Sequence, residues 1–232
     1  MIPYRDDNTI HIIPFVTILI ISLNLLVFVT QVMSGADARS IIYSFGAIPS
    51  SLISFESRQP IHPVLTIFTS MFMHGGLFHL AFNMLYFWIF GNNIEERLGH
   101  LRFMLFYLFC GIVAAFSHAL VSPGSNIPMI GASGAVSGML GAYILLFPLA
   151  KVSTLVFLGF YITVIKIPAL IVIGFWAIIQ VVSGLISQGT ANQGGVAFFA
   201  HVGGFAAGLL TIKLWLPKGG STSGSNMSEM QD

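Results

Sequence analysis

The sequence predicts an all-α polytopic membrane protein of six transmembrane helices, with a long outer loop after the first. Three observations predict it. Of the 232 residues, 56% are hydrophobic and only 7% are charged, where a soluble domain carries about 25% charged residues. The mean hydropathy of +0.89 belongs to a chain whose solvent is lipid. The apolar residues also fall into runs of roughly 20, the length a helix needs to cross the hydrocarbon.

These runs lie at roughly 12–33, 70–90, 101–121, 130–149, 167–187 and 195–216. The first follows "MIPYRDDNTIH". Its aspartates, and the lack of a small-residue cleavage signature after it, read as a retained span and not a removed signal peptide. The first break, "SGADARSIIYSFGAIPSSLISFESRQPIHP", is long, and the later ones include "GNNIEERLGH", "SPGSNIP" and "SQGTANQGG". Val152–Ile165 is apolar but short and is closed by Lys166 and Pro168. It reads as an interfacial or re-entrant segment, not as a seventh span. The organisation expected is a short cytoplasmic N-terminus (1–11), a membrane domain (12–216) and a disordered polar tail (217–232) rich in Ser and Gly.

Basic residues set the orientation. With the N-terminus inside, the inner segments hold Arg5, Arg97, Arg102, Lys151, Lys166, Lys213 and Lys218, and the outer loops hold only Arg39 and Arg58. Both termini are therefore expected in the cytoplasm. With no transit-like presequence and no large extra domain, a bacterial inner membrane is the expected location.

The formal net charge of +1 argues against a nucleic-acid partner, which would need a basic patch. The lone Cys110, in mid-run, excludes an internal disulfide and a thiolate metal cage. No phosphate-binding Gly-rich loop and no dinucleotide fingerprint occurs in the required context.

Strongly polar side chains inside spans are expensive, so each is a functional candidate. The second run carries His74, His79 and Asn83, the fourth Ser133 and Ser137, and the sixth His201. His118 lies near the outer end of the third, and Gln180 in the fifth reads as interhelical glue. Trp176, also in the fifth, reads as a packing or belt residue. Under six spans, the second, fourth and sixth runs all start on the outer side. Ser133 and His201 then lie on the order of 5–10 Å below the outer edge. His79 and Asn83, spaced i, i+4, project from one helix face. A hydroxyl, an imidazole and a His/Asn pair at similar depth are the parts of an acyl-transfer site.

A blander reading weighs against each part. Gly134, Ser137 or Gly138, and Gly141, like Gly204 and Gly208, have the four-residue spacing of membrane helix-packing faces. Packing and catalysis do not exclude each other, because smooth faces let the fourth and sixth helices approach. His74, His79 and His201 could form a metal site, but no Cys, Asp or Glu lies at that depth to complete it. No metal or cofactor is therefore expected. No carboxylate lies near His201, which makes a Ser-His dyad the economical arrangement, and "GASGA" is not the G-x-S-x-G elbow of soluble hydrolases.

"GASG" around Ser133, "AHVGGFAAG" around His201, and H-x4-H-x3-N at His74, His79 and Asn83 together resemble the rhomboid family of intramembrane serine proteases. The "GNNIEERLG" turn is also similar, and the resemblance covers about residues 10–216. It implies a six-helix rhomboid-like bundle in which Ser133 is the nucleophile and His201 the general base. The Ser133 backbone N–H, His79 and Asn83 would hold the oxyanion. His74, Gly131, Gly134, Gly204 and Gly208 would have supporting roles. Implied substrates are single-span membrane proteins, cut near the outer end of a helix, with the lipid bilayer as the other partner. Two departures from the family pattern stand out. Residues 34–69 contain no tryptophan, and Ser137 stands where some members have a tyrosine packing on the catalytic histidine. The alternative expectation is a catalytically silent membrane chaperone or binding protein on the same scaffold. A small transporter relaying through the histidines is disfavoured, because the cytoplasmic halves of the spans are apolar.

Overall fold

A computed structural model describes residues 2–56, 59–159, 161–187 and 196–217, with the side chains of 157, 158, 161 and 187 outside the description. The expected tail (218–232) and most of the "SQGTANQGG" break thus lie outside the described residues, as do Arg58 and Lys218.

The chain opens with a strand, β1 (Ile2–Asp6), and a long apolar helix, α1 (Phe15–Met33). Three short helices follow: α2 (Ala38–Phe45), α3 (Pro49–Ser54) and α4 (Pro63–Ser70), the last two started by proline in the first turn. A continuous helical run then comprises α5 (Leu77–Tyr86), a π-helical turn at Phe87–Gly91, and α6 (Asn92–Leu98). Gly99, at φ +75°, ends it in a conformation that favours glycine. Immediately beyond lies α7 (His100–Val121), followed by α8 (Ser133–Leu146). Strands β2 (Lys151–Leu158) and β3 (Tyr161–Pro168) lead into α9 (Ala169–Ser187), and α10 (Phe198–Trp215) is the last described helix.

Every predicted apolar run contains a helix, but not every helix is long. Among the described residues four helices are long and apolar enough to cross a membrane: α1, α7, α9 and α10. The second run begins its helix only at Leu77, after Gly75 and Gly76, and the fourth is shortened to Ser133–Leu146, ahead of Pro148.

The all-α expectation needs correction. A three-stranded antiparallel sheet, order β1-β2-β3, joins the N-terminal segment to the α8–α9 connection. Ile2 pairs with Leu155 and Asp6 with Val152, while Lys151 pairs with Pro168 and Leu158 with Tyr161. Val152–Ile165, expected as an interfacial or re-entrant segment and not a seventh span, is most of a β-hairpin. The cause is local: Val152, Thr154, Val156, Ile162, Thr163, Val164 and Ile165 are β-branched and favour the pleated conformation. Gly159, at φ +62°, begins the reversal.

At the centre stands α8, buried along its whole length from Gly134 to Tyr143, as a helix apolar on every side must be. It lies between α7 and α10. A Cβ on Gly138 would meet the Cys110 side chain of α7, and one on Gly208 would overlap the Gly138 carbonyl oxygen. Backbone-to-backbone approach of this kind replaces the hydrophobic drive that helices lack in lipid. Below this contact the ring of Tyr143 meets Phe90 (centroids 4.8 Å), and Phe87 meets Tyr107 and Phe103 (5.2 and 5.9 Å). Outward faces of α1 and α9 display Leu26, Val32, Ile171, Phe175, Ile178 and Leu185, surface that lipid would cover.

Two polar clusters tie the sheet end together. The fully buried Glu95 accepts hydrogen bonds from the Val16 and Thr17 N–H groups (2.9 and 2.8 Å), from Thr17 Oγ1 (2.6 Å) and from His100 Nδ1 (2.6 Å). It thereby caps the first turn of α1, where Pro14 offers no side-chain cap. Asp6 Oδ2 accepts from Tyr143 Oη (2.7 Å), Asn93 Nδ2 (2.9 Å) and Asn8 Nδ2 (3.0 Å).

Candidate active site

Ser133 is the first residue of α8. It is delivered by a segment held on both sides: Met129 and Ala47 exchange backbone hydrogen bonds (2.8 and 3.0 Å), and Gly131 N–H donates to the Ser70 carbonyl (2.9 Å). Gly131 sits at φ +120°, where a side chain would be strained. A Cβ there would also lie 2.8 Å from Cε1 and Nε2 of the His79 ring and 3.6 Å from Ser133 Oγ. Glycine at 131 thus keeps open a space between His79 and the Ser133 hydroxyl. A cavity of about 40 Å³ bordered by Ser70, Ile130, Gly131, Ser133 and Ala200 adjoins it.

His201, buried on α10, reaches Ser133: its Nε2 is 2.7 Å from Ser133 Oγ. The two residues stand 68 positions apart in sequence and meet because α8 and α10 touch through glycine. Gly204, one turn after His201, lies against the carbonyl of Gly134. The second ring nitrogen, Nδ1, is 2.7 Å from Gln180 Oε1 on α9. Trp176 and Phe198 flank the imidazole, with ring centroids 6.1 and 6.5 Å away.

The remaining candidates surround this pair. His79 on α5 turns its Nε2 edge toward Gly131 and Ser133, while its Nδ1 faces the Gly75 N–H at 3.4 Å. Asn83, buried one turn on, donates from Nδ2 to the His79 carbonyl (2.8 Å). His74 is buried edge-on against His79 (centroids 5.0 Å). Its backbone is clamped by Gln31 of α1, which accepts from the His74 N–H (3.1 Å) and donates to its carbonyl (3.3 Å). Ser137 does not replace the tyrosine in contacting the histidine; its hydroxyl donates to the Ser133 carbonyl (2.6 Å).

The structure therefore brings Ser133, His201, His79 and Gly131 to one place, with Asn83 and His74 behind His79. What sequence reasoning assigned otherwise is α9. Gln180, expected as interhelical glue, does bridge two helices, but through the imidazole of His201. Trp176, expected as a packing or belt residue, lies beside that ring. Among the described residues no group of three His, Cys, Asp or Glu side chains could hold a metal ion. A larger cavity, about 360 Å³, lies at the sheet end beside Arg5, Asp6, Asn8 and Trp88, and its lining contains no serine, cysteine or histidine.

Chemically, a serine hydroxyl bonded to an imidazole can be deprotonated as it attacks. Donors near the open space can receive a developing oxyanion.

The Rhomboid domain family matches residues 62–218. The chain is 32% identical over 210 residues to Rhomboid protease GluP of Bacillus subtilis (strain 168), across 90% of this chain and 36% of that protein. It is 30% identical over 165 residues to RHOMBOID-like protein 1 of Arabidopsis thaliana, 71% of this chain and 36% of the relative. It is 33% identical over 112 residues to Presenilin-associated rhomboid-like protein, mitochondrial, of Homo sapiens, 45% of this chain and 30% of the relative. The chain spans about a third of the length of these relatives. With its apolar membrane-length helices and a family match over more than half its residues, the chain is an integral membrane protein and belongs to the rhomboid family.

Proposed function

We propose that this rhomboid-family chain is an intramembrane serine endopeptidase that cuts substrate transmembrane helices near their outer ends. One observation carries the reading: Ser133 Oγ and His201 Nε2 lie 2.7 Å apart on adjoining helices. Ser133 attacks the scissile carbonyl carbon while its proton passes to His201 Nε2. The resulting oxyanion is received by the Ser133 backbone N–H and by His79 and Asn83. Collapse breaks the C–N bond, and the Nε2 proton leaves with the amine, giving an acyl-serine. A water then attacks that ester, loses its proton to Nε2, and releases the acid as the proton returns to Ser133 Oγ. Neither a metal nor a cofactor enters the scheme.

The six-span reading adds to the four long helices the run from Leu77 to Leu98 and the 14-residue α8. At 1.5 Å per residue α8 is roughly 21 Å long, short of a hydrocarbon core of roughly 30 Å. If its inner end lies at the cytoplasmic boundary, Ser133 is recessed on the order of 9 Å from the outer one. Both termini and the sheet then face the cytoplasm, and α2, α3 and α4 belong to the long outer loop. Residues 12–216 form the protease domain. A bacterial inner membrane is the location this reading favours.

The substrates are single-span membrane proteins whose helices unwind at the cut, since a helical peptide bond is shielded by its own turns. The test is labelling and cleavage by the purified chain in detergent. A fluorophosphonate should modify Ser133, and Ser133→Ala should abolish both labelling and cleavage of a membrane-spanning reporter. Cleavage by Ser133→Ala at the wild-type rate would overturn the reading. Client-helix binding unaffected by Ser133→Ala and His201→Ala, without cleavage by the wild type, would instead favour a silent binding protein.

A further inference from the structure

A neutral imidazole has two tautomers, and only one can serve Ser133. If Nε2 carried the hydrogen, it would point a donor at the hydroxyl it must deprotonate. The partner of the other nitrogen decides between them. Here Nδ1 faces Gln180 Oε1 at 2.7 Å. A carbonyl oxygen can only accept, so this contact requires Nδ1–H and leaves the Nε2 lone pair facing Ser133 Oγ.

We propose, on the reading of Ser133 and His201 as a catalytic pair, that Gln180 is the positioning residue that fixes the tautomer and ring angle of His201. It supplies an acceptor where serine hydrolases commonly use a carboxylate. The choice of an amide has a physical reason. A charged group is costly inside a membrane, whereas a neutral amide accepts the same hydrogen bond without that cost. When His201 takes the Ser133 proton, Nδ1–H still points at an oxygen dipole and the cation is not left unpaired. Trp176, one turn before Gln180 on the same helix, walls the ring on that side, so α9 provides both the acceptor and the packing surface. The other titratable side chains near His201 are His79 from α5 and His118 from α7, and neither bonds to Nδ1 in this structure.

The experiment compares wild type, Gln180→Leu and Gln180→Glu as full chains in detergent, with reporter kinetics and ¹⁵N spectra of the labelled histidines. Leucine fills similar space without an acceptor. Glutamate keeps a carbonyl oxygen at the same reach whether or not it ionises. Gln180→Leu should lower kcat by about tenfold or more with KM little changed, and the His201 ring should lose its Nδ1–H signature. Gln180→Glu should recover most of that loss. A Gln180→Leu protein with kcat within about threefold of wild type overturns the role of Gln180 while leaving the Ser133–His201 reading in place. Loss in both variants alike, with the tautomer unchanged, also overturns it, since that marks a packing role. An inactive, unlabelled wild type overturns both proposals together.

Discussion

Gly204 of α10 lies so close to Gly134 of α8 that a methyl group on it would overlap the Gly134 carbonyl oxygen. The contact is one residue from Ser133 and one turn from His201. The distance between the catalytic candidates is therefore set by a backbone contact, not by the candidates themselves. Gly204→Ala should force α8 and α10 apart, costing about 1–3 kcal/mol. Fluorophosphonate labelling of Ser133 should fall by about tenfold or more, because Oγ and Nε2 no longer meet. Labelling at the wild-type rate, read by gel fluorescence, would show that the helix spacing does not govern the pair.

Asn83 tests the other side of the site. Its Nδ2 is tied to the His79 carbonyl (2.8 Å), so the amide is already oriented before substrate arrives. Asn83→Ala should lower kcat by roughly 10²-fold with little change in KM, the mark of a donor engaged only in the transition state. If reporter kinetics show kcat unchanged, Asn83 does not take part in holding the oxyanion.

Glu95 predicts stability, not rate. Its buried carboxylate takes four hydrogen bonds, from Val16, Thr17 (twice) and His100. Glu95→Leu leaves the first turn of α1 unsatisfied in an apolar setting, a loss of about 3 kcal/mol or more. The thermal midpoint should drop by about 6 °C or more, and Glu95→Gln, which keeps one acceptor oxygen, should drop less. Equal midpoints for Glu95→Leu and wild type in a detergent melting experiment would refute the capping role.

Asp6 makes stability depend on pH. Burial pushes its carboxyl above the ordinary value of 3.8, against the lowering effect of hydrogen bonds from Tyr143, Asn93 and Asn8. The folded state therefore holds this proton more tightly than the unfolded chain. Its contribution is complete below 3.8 and is lost as pH rises through the raised folded value. Asp6→Asn cannot ionise and should lack this slope. As pH rises from below 3.8 through the raised folded value, the wild-type melting midpoint should fall relative to that of Asp6→Asn. A difference that stays constant, or grows in favour of wild type as pH rises, would contradict the assignment.

The sequence made some of this legible and hid the rest for identifiable reasons. Ser133, His201, His79 and Asn83 stood out because polar side chains in apolar runs are rare. Glycines at 134, 204 and 208 marked the meeting faces of α8 and α10 by spacing alone. Gln180 could be seen but not placed, because nothing in an apolar helix says which face meets its neighbour. The sheet was hidden because Val152–Ile165 is a short apolar run, for which periodicity does not separate strand from helix. Its β-branched content and Gly159 were the available signal. β1 was less visible still, since Ile2–Asp6 forms a strand only against β2.

That sheet has a mechanical consequence. Strand β3 runs directly into α9, and the junction is fastened: Ala169 N–H donates to the Ala150 carbonyl (2.8 Å) and Leu170 N–H to the Pro148 carbonyl (3.0 Å). The base of α9 is riveted to the end of α8, and α9 as a whole is the least buried of the four long helices. A tilt of α9 relative to α8 would therefore turn about Ala169 as its fulcrum. Gln180 rides on the arm, roughly 16 Å from that fulcrum at 1.5 Å per residue. A swing of only about 10° carries it roughly 3 Å, as far as the whole length of its bond to His201. A tilt of that size would be enough to part Gln180 from the imidazole it faces.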